Sequence, residues 1–190
     1  MDLENQRYGR NKNILVNHTY IESGEYCKKF DKATNNNKVN KVLYDCAKKM
    51  LNHRSGTVFE DMYWIDEWGK VVTKELNNAE PRKVIYSEKT KQAISNANEY
   101  SLIAIHSHPS SMPPSIADFN ACYTHKYKMG VIACHNGKIF AYTSEQEVSL
   151  NLYNMYIEEF ADLGYDEYEA QIKTLEKLKI NHDIDFWEVK

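Results

Sequence analysis

Leu102-Ile103-Ala104-Ile105 is an unbroken apolar run that ends directly on His106-Ser107-His108-Pro109. A strand with one wet face alternates apolar and polar residues, whereas a strand covered on both faces does not. The run therefore predicts a central strand, with layers on both sides of its sheet and two imidazoles at its end. Pro109, Pro113 and Pro114 forbid regular structure just beyond it, and Ser115 to about Lys128 predicts a helix running back.

The rest of the chain fits an α/β fold around that strand. Val39, Val42, Leu43, Cys46 and Met50 recur at helical spacing, with Cys46 on the apolar stripe. Ser55-Gly56 ends that helix. Residues 57–65 are rich in β-formers and predict a strand, Asp66 to Gly69 a turn, and Lys70 to Lys74 a second strand. Lys83 to Tyr86 predicts a short strand, and Ser87 to Asn98 a helix capped by Ser87. Residues 131–134 and 139–142 flank His135-Asn136-Gly137-Lys138, and Asn-Gly is a strong hairpin signal. Two helices are predicted to close the chain. The expectation is a mixed central sheet flanked by helices. Residues 1–30 would be an N-terminal arm or edge segment, 31–145 the main domain, and 146–190 a C-terminal helical extension packed on it.

Composition narrows the function classes. Lys and Arg number 24 against 27 Asp and Glu, a net charge of −3, which argues against general nucleic-acid binding. No apolar run reaches the roughly 18 residues needed to span a membrane. The first residues are polar, unlike a signal peptide. Cys27, Cys46, Cys122 and Cys134 show no C-x-x-C spacing, so a reduced, cytoplasmic protein is expected.

The His pair has a geometric consequence. Residues i and i+2 of a strand point to the same side, roughly 7 Å apart along the backbone, so His106 and His108 can converge on one ion. Asp118 falls in the first turn of the helix after the Pro-rich reversal and can swing back toward them. Two imidazoles and one carboxylate leave a tetrahedral position open, the ligand count of a catalytic zinc site. Ser115 with Asp118 three residues on is also a helix-capping pattern, compatible with the ligand role.

His106-Ser107-His108-Pro109, a short loop, then Ser115-Ile116-Ala117-Asp118 resembles the signature of the JAMM metalloproteases, also called MPN-plus or JAB-domain proteins. The resemblance covers roughly residues 55–143. It implies a JAB/MPN-like fold, one Zn²⁺ held by His106, His108 and Asp118, and Ser115 stabilising a tetrahedral intermediate. It also implies a Glu on an earlier strand as general base; Glu60 matches best, with Glu75 and Glu80 at a strand end and in a loop. The family signature has one residue more between its second His and its Ser than the six here, Pro109 to Pro114. The implied activity is hydrolysis of a peptide or isopeptide bond in a protein or peptide substrate, for the family often beside a ubiquitin-like protein. The flanking text resembles bacterial or prophage members more than eukaryotic deubiquitinases.

Two alternatives share the fold: a non-catalytic MPN-like protein-binding scaffold, and a relative of the RadC branch linked to DNA repair. Other His-x-His enzymes fit less well. Metallo-β-lactamase-type sites need an Asp where Ser110 stands, amidohydrolase barrels need about 250 residues, and zinc deaminases need H-x-E with a later P-C-x-x-C. His125 is expected at a core or rim position, and His18, His53 and His182 show no partner in the sequence.

Overall fold

In a computed structural model, which describes residues 14–190, the chain forms one six-stranded mixed sheet between two helical layers. Its elements are α1 (His18–Ile21), α2 (Gly24–Lys29), α3 (Asn37–Arg54), β1 (Met62–Asp66), β2 (Val71–Glu75), α4 (Glu88–Ser95), β3 (Leu102–His108), α5 (Ile116–Thr124), β4 (Met129–Cys134), β5 (Ile139–Ser144), α6 (Leu150–Asp162), α7 (Glu167–Asn181) and β6 (Ile184–Glu188). The spatial order is β2-β1-β3-β4-β5-β6. Among the described strands only β3 and β4 run parallel, with His106 opposite Ile132 and His108 opposite Cys134. The α5 crossover between them is what such a parallel pair requires.

The apolar run behaves as a central strand. All seven residues of β3 are buried, and alternation divides them between two cores. Ile103 and Ile105 pack with α3 residues Val39, Leu43, Cys46 and Met50. Leu102 and Ala104 pack with Phe119 and Cys122 of α5 and Leu175 and Leu178 of α7. His106 and His108 continue the second set, so both imidazoles emerge on the α5 side, while Ser107 faces α3.

Several elements depart from expectation. The first strand begins at Met62, not at residue 57. Asp61 N–H donates to the Ser107 hydroxyl (3.1 Å), so a side chain stands where a ladder carbonyl would be and regular pairing starts one residue later. Lys83 to Tyr86 has no regular secondary structure and joins no ladder; the Ile85 amide instead donates to Asn78 Oδ1 (2.7 Å). α5 stops at Thr124, because Lys126 takes a positive φ of 50°. At the Asn-Gly hairpin only Gly137 adopts positive φ (82°), and its amide donates to Cys134 O (2.9 Å).

Both ends also differ. Residues 1–13 of the expected arm lie outside the described residues. The remainder of that segment is helical, and Ile21, Tyr26 and Phe30 bury against α3 rather than forming an edge strand. The region after residue 145 carries a strand besides its two helices: β6 pairs antiparallel with β5 and extends the sheet. Among the described residues no helix is long and apolar enough to cross a membrane.

Candidate metal centre

The chemistry-bearing side chains converge where the C-terminal end of β3 meets the N-terminus of α5. His106 and His108 are buried, with their Nε2 atoms 3.0 Å apart. His108 Nδ1 lies 3.0 Å from Met112 O, which can only accept, so Nδ1 carries the proton and Nε2 keeps its lone pair. Asp118 Oδ1 sits 3.2 Å from His106 Nε2, and Asp118 Oδ2 sits 3.6 Å from His108 Nε2. Glu60 approaches from the segment before β1. One oxygen of Glu60 and one nitrogen of each histidine all lie within 4.8 Å of one another.

These positions follow from local structure. Ser115 N-caps α5 in a reciprocal box: its hydroxyl accepts from Asp118 N–H (3.3 Å), and its own amide donates to Asp118 Oδ2 (2.7 Å). The Ser115 hydroxyl also lies 2.8 Å from Asp118 Oδ2. One carboxylate oxygen is thus held by the cap while the other faces His106. The capping and ligand readings coexist, as the sequence allows.

Glu60 and Asp61 point in opposite directions, as neighbours on an extended chain must. Asp61 is fully buried on the α3 side, where its carboxylate accepts from Arg54 Nε (2.5 Å) and pairs with His53 Nδ1 (2.6 Å). Glu60 lines the same cleft as the histidines. Glu75, the weaker candidate, is engaged elsewhere by the Ser87 amide (2.9 Å) and hydroxyl (2.5 Å).

Burial and mutual charge set the protonation of this group. Burial pushes the Glu60 carboxyl up to about 8, the neighbouring His106 pulling the other way. Burial and then His106 push His108 down to about 4. Burial opposes charge on His106, but the Asp118 carboxylate outweighs it and holds His106 above its ordinary value. Burial likewise opposes charge on Asp118, and His106 outweighs it, holding Asp118 well below the usual carboxylate range.

The donor chemistry fits a metal ion. Two Nε2 atoms facing each other at 3.0 Å require a proton or a cation between them, and the neutral tautomer of His108 presents a lone pair. The buried Glu60-His106-His108 group could hold a metal ion, and Asp118 adds a carboxylate beside the same two Nε2 atoms. His106 Nδ1 is buried with no hydrogen-bond partner among the described residues, so its orientation rests on the Nε2 side.

The group opens into a cleft of about 870 Å³. One wall is the irregular segment Arg82 to Tyr86, another is α5 through Ala117, Ala121 and its cap His125, and a third comes from α6 and α7 through Tyr153 and Gln171. Trp64 Nε1 donates to the Tyr127 hydroxyl (2.8 Å), and His125 lies between the rings of Tyr86 and Tyr127, at 5.4 Å from each. His125 is thus a cleft residue, not a core one. The structure brings Glu60, His106, His108, Ser115 and Asp118 together in one cleft; the sequence did not single out Gln171 or the Arg54–Asp61 pair. The one available signal for Gln171 is that Pro113 and Pro114 present carbonyls but no N–H donors of their own.

No family model matches this chain, and neither does any curated protein or any solved structure, so the site is read from its own chemistry.

Proposed function

We propose that the protein is a zinc-dependent peptidase or isopeptidase of JAMM type, cleaving a peptide or isopeptide bond in a protein or peptide substrate, ubiquitin-like proteins included. The observation that carries this is the carboxyl of Glu60, buried beside the paired Nε2 atoms of His106 and His108 at the floor of an open cleft. A neutral His pair with a carboxylate is a donor set that zinc takes in catalytic sites. His106, His108 and Asp118 would hold the ion. When bound, zinc acts as a Lewis acid that makes water more acidic and polarises a carbonyl.

The chain's own groups do the rest. Glu60 accepts a proton from the attacking water and returns it to the leaving amine. A carboxyl raised toward neutrality is suited to both steps. Ser115 turns its hydroxyl from Asp118 toward the carbonyl oxygen, adding a donor where negative charge develops. The cleft wall at Arg82 to Tyr86 aligns the substrate chain, and the aromatic side chains exclude bulk water.

The test is metal analysis together with cleavage profiling on ubiquitin-like fusions and a peptide library. One zinc per chain, cleavage by the wild type, and a Glu60→Gln variant that keeps zinc but loses cleavage support the reading. A chain that takes up no zinc, or an active Glu60→Gln variant, overturns it.

A further inference from the structure

We infer that Gln171, on the C-terminal helix α7, is a positioning residue for the metal centre, acting through the peptide planes of the Pro-rich loop. The inference rests on the metal reading above. Gln171 is buried, and its amide Nε2 lies 3.2 Å from Pro113 O and 3.0 Å from Pro114 O. Each hydrogen of one NH₂ group thus meets one of two consecutive carbonyls.

The loop needs such a donor. Residues 111–114 are buried, and buried carbonyls are costly without a partner. Three successive peptide units carry the consequence. The Met112 carbonyl accepts from His108 Nδ1 (3.0 Å). The Pro113 carbonyl accepts from Gln171. The Pro114 carbonyl accepts from Gln171 as well, and the N–H of that same peptide unit, on Ser115, donates to Asp118 Oδ2 (2.7 Å). A peptide unit is planar and trans, so its C=O and N–H point in opposite directions. Anchoring the oxygen aims the hydrogen. Gln171 therefore orients the Ser115 amide, that amide orients the Asp118 carboxylate, and the preceding unit orients the His108 imidazole.

The other ties of the loop lie toward its end away from Ser115: the Asn136 amide donates to Ser111 Oγ (3.1 Å), and the Cys134 thiol reaches Met112 O (3.7 Å). Gln171 is the anchor at the ligand-helix end. A donor amide is required there, since turning the side-chain oxygen toward the loop would set it against two carbonyls. The α7 helix accordingly helps to build the site and is not only a cover for the sheet.

The experiment compares zinc affinity by chelator competition, and the visible spectrum of the Co²⁺-loaded protein, for wild type, Gln171→Met, Gln171→Glu and Leu178→Ala. Leu178 is buried on the same helix and touches no loop carbonyl, so it reports general loosening of α7. Unfolding of the metal-free proteins places all four on one stability scale. Partners that orient ligands typically change metal affinity by about 10–100-fold. The expected result is a loss of at least about tenfold in both Gln171 variants with an altered Co²⁺ spectrum, and little change in Leu178→Ala. Wild-type affinity and spectrum in Gln171→Met, or an equal loss in Leu178→Ala, overturns the inference while leaving the metal reading standing. A wild type that binds neither ion overturns both.

Discussion

Asp61 and Ser107 exchange two hydrogen bonds: the Asp61 amide donates to Ser107 Oγ and the Ser107 amide donates to Asp61 O, each at 3.1 Å. Ser107 lies between the two histidines and Asp61 follows Glu60, so this pair sets the distance between Glu60 and the two imidazoles. The Asp61 carboxylate is in turn tied to Arg54 at the end of α3. Arg54 also donates through Nη2 to Leu76 O (2.5 Å), bracing the chain after β2.

Arg54→Met is therefore expected to destabilise the fold by about 3–5 kcal/mol, since it leaves a buried carboxylate without its guanidinium. Denaturant unfolding measures this. The double variant Arg54→Met/Asp61→Asn should recover part of the loss, because the stranded charge is gone. Equal stability of single and double variants would rule the charge explanation out.

Two ligand sets are available around His106 and His108, one completed by Asp118 and the other by Glu60. With Glu60 as base, Asp118→Asn weakens zinc binding by at least about tenfold, while Glu60→Gln leaves it within a few-fold of wild type. Chelator competition decides between them. A larger loss in Glu60→Gln would make Glu60 a ligand and leave the proton-transfer role without an owner.

In the metal-free protein, Glu60 and His108 give pH dependences of opposite sign. The folded pKa of Glu60, about 8, exceeds its ordinary 4.5, so the folded state holds more protons between those values. Its contribution is fully present below 4.5 and is lost as pH rises through 8. His108, lowered to about 4 from 6.5, contributes above 6.5 and loses that as pH falls through 4. His106, held above its ordinary value, adds to the loss at rising pH. Between pH 6.5 and 8 only losses remain. Stability in chelator should fall there by about 2 kcal/mol for Glu60 alone, at up to about 1.4 kcal/mol per pH unit. Urea midpoints of Glu60→Gln should fall less steeply over that window; parallel curves would count against a raised Glu60.

Gly130 in β4 lies under the Tyr142 ring, and a Cβ there would stand 1.9 Å from Tyr142 Cζ. Tyr142 packs on Phe119 of the ligand helix, ring centroids 5.3 Å apart, and reaches the cleft. Gly130→Ala should cost about 1–3 kcal/mol as the overpacked ring shifts, and should lower zinc affinity by displacing α5. Pairing it with Tyr142→Leu should give less than the summed cost, a non-additivity that thermal unfolding can detect.

The parts of this fold that were legible in the sequence are those with local causes. The run 102–105 has to be central because nothing in it can face water. His106 and His108 share a side because a strand alternates. Ser115 and Asp118 form the box that their spacing predicts, and Glu60 and Asp61 diverge because they are neighbours. The parts that were not legible depend on partners far away in the chain. β6 looks like a tail until β5 offers it an edge. The start of β1 is set by the Ser107 hydroxyl 46 residues away. Lys83 to Tyr86 has the residues of a strand and no strand to pair with. Arg54 and Gln171 are ordinary helix residues until Asp61 and the proline carbonyls are brought against them.

The contact between Gln171 and Pro114 spans 57 residues, and synthesis runs from the N-terminus. A chain emerging from the ribosome holds Glu60, His106, His108 and Asp118 well before α7 exists. Until then the Pro113 and Pro114 carbonyls lack their donor and the loop is unanchored at its Ser115 end. The geometry that draws these four side chains together therefore arrives late in synthesis, and a half-made chain carries the residues without the loop anchor that aims them.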